Sequence, residues 1–208
     1  MASAIMHLAI AKKLNEKLNM NERELFLGTL APDLNKIVHR SKSRAHFYNK
    51  GTNIINLDAY LKKYGNNMSH AFEMGYYIHL YVDKLWDELI FSDIFNNSSI
   101  KLLNGSEITL DEKQMKKLIY NDFTNLNISL IDKYNIDLSL FYMDLTFPKT
   151  NINEIPIKKL NLIVDKMGTF IKNSEKKKTV ILDCKNVYKF IDKSYKIILK
   201  DLQNRNLI

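Results

Sequence analysis

Residues 74–86 read Met74-Gly75-Tyr76-Tyr77-Ile78-His79-Leu80-Tyr81-Val82-Asp83-Lys84-Leu85-Trp86, and this stretch decides the fold. It is apolar enough to be the middle of a buried helix, yet it contains a histidine and an aspartate. His79 and Asp83 are four residues apart, which places both side chains on one face of a helix. Leaving an imidazole and a carboxylate unsatisfied in a core costs several kcal/mol. We therefore expect the pair to be hydrogen-bonded or to bind a metal.

The composition of the whole chain predicts an all-α protein. The 208 residues are 46% hydrophobic and include only 6 glycines and 3 prolines, which favours helices joined by short polar turns. We expect one domain over residues 1–208, folded as a multi-helix bundle. One Asn-Gly pair, Asn104-Gly105, lies between short apolar runs, so a single small β-hairpin is expected near residues 100–109.

Cysteine content and charge limit the classes of protein that fit. The single cysteine, Cys184, excludes an internal disulfide, and the sequence has neither a secretion signal nor an apolar run that could span a membrane. A cytoplasmic location is the resulting expectation. The net charge of +8 would attract phosphate esters, anionic lipid head groups or nucleic acid. Nucleic acid is disfavoured, because the excess is mostly lysine and is spread along the chain.

Capping residues and proline predict where the first helices begin and end. Ser3 can cap a helix whose apolar face includes His7, and Asn21 with Glu24 can start a second helix. Pro32 ends that second helix, so Asp33 is expected in a loop. Residues 34–55 show no sustained period and are expected to form a long irregular connection, which is usually functional in a compact domain.

The remaining helices follow from similar signals. We expect a short helix over residues 57–64, the long helix of His79 capped by Ser69, and a helix opened by Thr109 with Glu112. Two more are expected, one begun near Pro156 and one capped by Asp183.

The candidate functional side chains are imidazoles and carboxylates from separate segments. They are His7, Asp33, His46, His79, Asp83 and, in the apolar stripe of a later helix, Asp122. Nitrogen and oxygen ligands without thiolates suit Zn, Fe, Mn, Ni or Co. Each residue taken singly also fits a structural role, such as a hydrogen-bonded core histidine or a turn aspartate. Their joint pattern predicts a metal site. The His79–Asp83 pair alone fits a metal site and a buried structural pair equally well.

Four stretches of the chain resemble the zinc-dependent phospholipase C family, in its branch of small bacterial phospholipase C/D-like proteins. The stretches are Met6-His7-Leu8-Ala9-Ile10-Ala11, Gly28-Thr29-Leu30-Ala31-Pro32-Asp33, Ala45-His46-Phe47 and Gly75 to Trp86. The resemblance extends loosely through Tyr120-Asn121-Asp122. It implies a helical bundle of the phospholipase C type that binds zinc.

The resemblance also implies how the ligands are shared. Asp33, His46 and His79 would hold one ion, and His7 and Asp83 its neighbour, with Asp83 bridging the two. The secreted phospholipases hold a third ion through further histidines, and this chain has none after His79. A third site is therefore not expected, and Asp122 would at most supplement two ions.

The leading hypothesis from the sequence is hydrolysis of an anionic phosphate ester in a two-metal site. Asp33 would bind an ion or accept the proton of the attacking water, and Arg40, Lys42 and Arg44 would meet the substrate. A different enzyme, a helical His-Asp phosphohydrolase acting on nucleotides, is disfavoured because no His-Asp dipeptide occurs. A non-catalytic helical protein that binds anionic lipid surfaces or nucleic acid also fits the charge, and so does a family member that keeps a metal only for stability. The sequence leaves the substrate and the oligomeric state open.

Overall fold

The fold is built around α6 (Ala71–Trp86), the helix predicted from the His79 and Asp83 segment. This computed structural model describes residues 2–91 and 99–208 of the chain. Every residue of α6 except Tyr81 and Lys84 is buried. A helix that is apolar on all sides lies inside a core, so the other elements pack around α6.

Helices of 4 to 15 residues precede α6, and a π-helical turn and helices of 13 to 23 residues follow it. Those before it are α1 (Ala4–Leu18), α2 (Glu22–Leu30), α3 (Leu34–Ile37), α4 (Lys42–Ala45) and α5 (Leu57–Tyr64). Those after it are a π-helical turn (Asp87–Phe91), α7 (Glu112–Tyr134), α8 (Leu160–Lys172) and α9 (Cys184–Asn204). Short 3-10 turns lie at Ala31–Asp33, Gly65–Asn67, Ser139–Phe141 and Ile157–Lys159. The predicted all-α class is confirmed.

One small antiparallel ribbon accompanies the helices, where the hairpin was predicted. Strand β1 (Ile100–Lys101) pairs with β2 (Glu107–Ile108), with Ile100 opposite Ile108. The turn between them contains Gly105 at a φ of 87°, a conformation that glycine adopts without strain.

Helices α2 and α6 touch through their backbones at Gly28 and Gly75. A Cβ atom built on either glycine would lie 2.1 Å from a carbonyl oxygen of the facing helix. That distance is far inside van der Waals contact, so only glycine permits the approach. The crossing brings Thr29 of α2 against His79 of α6, where the two form a hydrogen bond.

Several predicted helix starts are confirmed. Ser3, Asn21 and Asp183 cap α1, α2 and α9, each accepting a backbone N–H bond through its side chain. The helix predicted over residues 57–64 is present as α5. The helix predicted near Pro156 begins at Leu160, after a 3-10 turn.

Two predicted helix starts are wrong. The N-cap of α6 is His70 rather than Ser69, because the preceding 3-10 turn continues until the His70 N–H bonds to the Asn67 carbonyl. The N-cap of α7 is Asp111 rather than Thr109, and Gln114 completes its capping box. Aspartate is a stronger cap than threonine, which explains the shift.

The predicted irregular connection over residues 34–55 is more ordered than expected. It contains α3, α4 and a single bridge between Tyr48 and Ile55. A four-residue helix is too short to display an apolar period, so the sequence pattern did not reveal these turns.

Aromatic packing joins the second part of the chain to the end of α6. Trp86 lies edge-on to Phe123 of α7 and to Phe190 of α9, with ring centroids 5.5 and 5.1 Å apart. Buried apolar residues of the long helices belong to one connected cluster. No helix in residues 2–91 or 99–208 combines the length and apolarity needed to cross a membrane.

Candidate metal centre

The structure brings together five of the side chains singled out in the sequence. They are His7 of α1, Asp33 of the 3-10 turn after α2, His46 just after α4, and His79 and Asp83 of α6. They form two groups whose donor atoms lie within 4.8 Å of one another, with His79 in both: His7, His79 and Asp83, and Asp33, His46 and His79. Four separate elements contribute, so the arrangement depends on the tertiary fold.

A backbone carbonyl holds each of the three histidines at Nδ1. The Nδ1 to oxygen distances are 2.7 Å from His7 to Ser3, 3.2 Å from His46 to Lys42 and 2.8 Å from His79 to Thr29. A carbonyl oxygen can only accept, so each Nδ1 carries the proton, and Nε2 of each neutral ring has a free lone pair. Metal-binding histidines are usually oriented by such a bond on the other ring nitrogen.

The donor atoms near Asp83 Oδ2 are spaced as ligands of one ion would be. His79 Nε2 lies 3.5 Å from this oxygen, and His46 Nε2 lies 3.6 Å from it. The two Nε2 atoms are 3.3 Å apart, and Asp33 Oδ1 is 3.7 Å from that of His46. Ligands about 2.0–2.2 Å from a tetrahedral ion are about 3.3–3.6 Å from one another. The spacing fits that expectation closely.

The other carboxylate oxygen of Asp83 faces His7. His7 Nε2 lies 3.2 Å from Asp83 Oδ1, and the same oxygen accepts the backbone N–H of Ala2 at 3.1 Å. The rings of His7 and His79 stack with centroids 4.2 Å apart. Asp83 therefore presents one oxygen to His7 and the other to His46 and His79, as a carboxylate that bridges two ions would.

Three donor atoms of this cluster have no hydrogen-bond partner among the described residues. They are His7 Nε2, Asp33 Oδ1 and Asp83 Oδ2. The His7, His46, His79 and Asp83 side chains are at most 2% exposed, so water does not satisfy them freely. A buried polar atom without a partner costs about 1–3 kcal/mol. Cations bound in the two donor groups would satisfy these atoms, so the donor set fits a metal.

Burial and neighbouring charges shift the pKa values of the cluster. Burial, helped by the nearby His79, lowers the pKa of His46 to about 4. Burial alone would raise the pKa of Asp83, but His79 and His7 hold it well below its ordinary value. Burial would likewise lower the pKa of His79, but the Asp83 carboxylate raises it overall. Without a metal, the proton is therefore favoured on His79 beside an ionised Asp83, while His46 is neutral.

Asp33 lies at the edge of the cluster. The Ala31-Pro32-Asp33 segment forms a 3-10 turn between α2 and α3, where a loop was predicted. The Asp33 side chain is 28% exposed, in contrast to the other four side chains. Its Oδ1 atom is buried toward His46, so the exposed part of the carboxylate faces away from the histidines.

Asp122 does not join the other candidate ligands. It lies on α7 and is in neither donor group. Its buried carboxylate accepts the backbone N–H groups of Val180, Ile181 and Leu182 at 2.7–3.2 Å. The lone pairs that would bind a metal instead hold the segment before α9 against α7.

Of the three basic residues predicted to meet the substrate, Lys42 lies near the cluster, because it packs on Tyr48, whose ring centroid is 5.7 Å from that of His46. Arg44 donates to the Asn153 carbonyl at 3.1 Å, and Lys42 Nζ lies 5.3 Å from the Tyr48 ring centroid. Arg40 is exposed, and its backbone N–H bonds to the Asn35 carbonyl.

The carbonyl anchors of the histidines were not predicted from the sequence. Ser3 and Lys42 stand four residues before His7 and His46, so helical spacing could have indicated those two bonds. Thr29 is 50 residues from His79, and no local signal connects them.

Comparisons with protein-family models, curated proteins and solved structures found no match. The resemblance to the zinc-dependent phospholipase C family, and the fold type that it implies, therefore remain predictions from the sequence motifs. Function has to be inferred from the side chains themselves.

Proposed function

We propose that the protein is a metal-dependent hydrolase of phosphate esters that uses two divalent ions. One observation carries the proposal: the three histidines are each fixed through Nδ1, so their Nε2 atoms converge with two carboxylates on one buried point. One proton on His79 cannot satisfy all of these atoms, and bound cations would. Paired divalent ions are a common solution in phosphate ester hydrolysis.

The donor distances suggest how two ions would be held. Asp33, His46, His79 and Asp83 Oδ2 would hold the first ion, and His7 with Asp83 Oδ1 would hold the second. Zinc is the leading candidate, because imidazole and carboxylate are its usual ligands beside thiolate, and Fe, Mn, Ni or Co also suit the set. With only two protein donors, the second ion would keep positions for water and substrate.

The ions and the chain would then divide the work of hydrolysis. Bound divalent ions lower the pKa of a coordinated water and polarise phosphoryl oxygens. Asp33, the exposed member of the cluster, accepts the proton of the attacking water through the part of its carboxylate that faces away from His46. The carbonyl bonds at Nδ1 hold the imidazoles in place, which keeps the donor positions fixed. The net charge of +8 attracts the anionic ester.

Metal content tests the first half of the proposal. We expect two ions per chain in protein purified without a histidine tag, and loss of both in the His79→Ala and Asp83→Ala variants. His70→Gln is the matched control. His70 is the N-cap of the same helix, α6, but its side chain is 59% exposed and lies outside the cluster. Wild-type metal content in the His79→Ala protein would refute the site.

Activity tests the second half. Metal-loaded protein should hydrolyse bis(p-nitrophenyl) phosphate or p-nitrophenyl phosphate, lose that activity on chelation and regain it with zinc. Tightly bound metal without hydrolysis of any ester would refute the hydrolase and indicate a structural metal. A protein that takes up no metal, but binds anionic vesicles or nucleic acid in a salt-dependent manner, would support a non-catalytic binding protein.

A further inference from the structure

A cavity of about 260 Å³ adjoins the candidate metal centre. Asp33 lines it, and so do Ala2 and Ser3 at the start of α1. The same two residues contact the metal cluster, since the Ala2 N–H bonds to Asp83 and the Ser3 carbonyl holds His7. The cavity and the cluster therefore share a wall, and the exposed side of Asp33 lies at their junction.

The lining of the cavity is mainly apolar, although Thr124 and Asn127 also belong to it. Helices α7 and α8 contribute Phe123, Ile163 and Met167, of which Phe123 and Ile163 are at most 5% exposed. Phe170 and Tyr120, which are about half exposed, also line it and so lie toward its mouth. Such walls favour a ligand with apolar surface and offer few hydrogen-bond partners to a nucleobase or a sugar.

Two lysines add positive charge to this apolar cavity. Lys36 lies on α3, three residues after Asp33, and Lys166 lies on α8. Both lysines are exposed and line the cavity. Lys36 Nζ is 3.5 Å from the Tyr120 hydroxyl, so it stays near the mouth. None of the predicted substrate residues Arg40, Lys42 and Arg44 lines the cavity.

We propose that this cavity binds the organic group of the substrate, and that this group is a single apolar chain or ring whose phosphate lies between Lys36, Lys166 and the metal centre. The inference rests on the proposed function and assigns its substrate class. Pockets for drug-sized ligands usually measure about 300–1,000 Å³. The cavity is smaller, at about 260 Å³, so it admits one chain or one ring and excludes two acyl chains.

A series of non-hydrolysable phosphonates tests the cavity independently of catalysis. Calorimetric titration of metal-loaded protein with methyl- to decylphosphonate should show affinity rising by about fourfold per buried methylene until the cavity is full. Phenylphosphonate separates a ring from a chain. The Met167→Trp substitution should fill the cavity and abolish the dependence on chain length, while the metal content stays at the wild-type level.

Matched variants on the same helix control for general damage. Leu162→Trp changes an exposed residue of α8 that does not line the cavity, so the dependence on chain length should persist. Replacing Lys36 and Lys166 with glutamine should weaken methylphosphonate binding by about threefold for each lysine at low salt. Lys172→Gln, at the far end of α8, should leave it unchanged.

The outcomes separate this inference from the proposed function. Ester hydrolysis combined with affinity that ignores chain length, or a chain-length effect that survives Met167→Trp, would overturn the cavity assignment alone. Chain-length-dependent binding without hydrolysis of any ester would uphold the ligand assignment and refute the hydrolase.

Discussion

Replacing Gly75 with alanine should push α2 away from α6 and disturb the metal centre. The new Cβ would lie 2.1 Å from the Leu25 carbonyl oxygen, whereas ordinary contacts begin at 3.4 Å, so the helices must separate by 1.3 Å (3.4 − 2.1). Overpacking a core costs about 1–3 kcal/mol. Because the obstructing atoms are backbone, which cannot rotate away, we expect the upper end, a loss of about 3 kcal/mol in the free energy of unfolding.

The same separation should weaken metal binding. The bond from His79 Nδ1 to the Thr29 carbonyl crosses this helix interface and is 2.8 Å long. Adding most of the displacement to it exceeds hydrogen-bonding distance, and the imidazole loses its anchor. Loss of the hydrogen bond that orients a metal-binding histidine typically lowers metal affinity by about 10–100-fold.

Urea unfolding and zinc titration of the purified variant measure the two effects. Gly65→Ala is the matched control, because its Cβ would meet no atom within 4 Å and its φ of −56° suits alanine. That control should be neutral or stabilised by up to about 1 kcal/mol. A Gly75→Ala protein with the wild-type urea midpoint and zinc affinity would refute this account of the helix contact.

Three further predictions concern buried polar groups. Asp122→Ala should lower the free energy of unfolding by about 3 kcal/mol, because three backbone N–H groups lose their acceptor. Its metal content should stay at the wild-type level, and a loss of metal would instead make Asp122 a ligand. In chelator, the protein should lose about 3 kcal/mol of stability as the pH falls from 6.5 to 4, because the unfolded chain takes up a proton that folded His46, with its pKa lowered to about 4, does not. A His46→Gln variant whose acid sensitivity equals that of wild type would contradict this source. Zinc binding near pH 6 should release on the order of one proton, since the pKa of His79 is raised and the ion displaces its proton. Equal binding heats in buffers of different ionisation enthalpy would argue against that displacement.

Local signals in the sequence predicted local features well. The caps of α1, α2 and α9 and the hairpin at Gly105 depend on contacts within a few residues, which spacing and residue type reveal. The close contact at Gly28 and Gly75 was not predicted, because two glycines 47 positions apart (75 − 28) carry no signal that they face each other.

The candidate site shows the same division. The relation of His79 to Asp83 follows from helical spacing alone, but their meeting with His7 and His46 was expected only from the joint pattern and the resemblance. Asp122 stood in an apolar stripe just as His7 did, and the sequence could not distinguish them. The two residues differ in what they face in the fold. His7 faces Asp83, whereas Asp122 accepts hydrogen bonds from a backbone segment about sixty positions away.

Part of the apolar wall of the cavity comes from a different part of the chain than the metal cluster does. The five clustered donors lie between His7 and Asp83, whereas Phe123, Ile163 and Met167 belong to helices that follow. Under the proposed ligand assignment, substitutions in α7 and α8 would alter the size and shape of the group that fits without touching any donor atom. A library of substitutions confined to α8 would therefore vary the proposed ligand group while every candidate metal ligand keeps its wild-type identity.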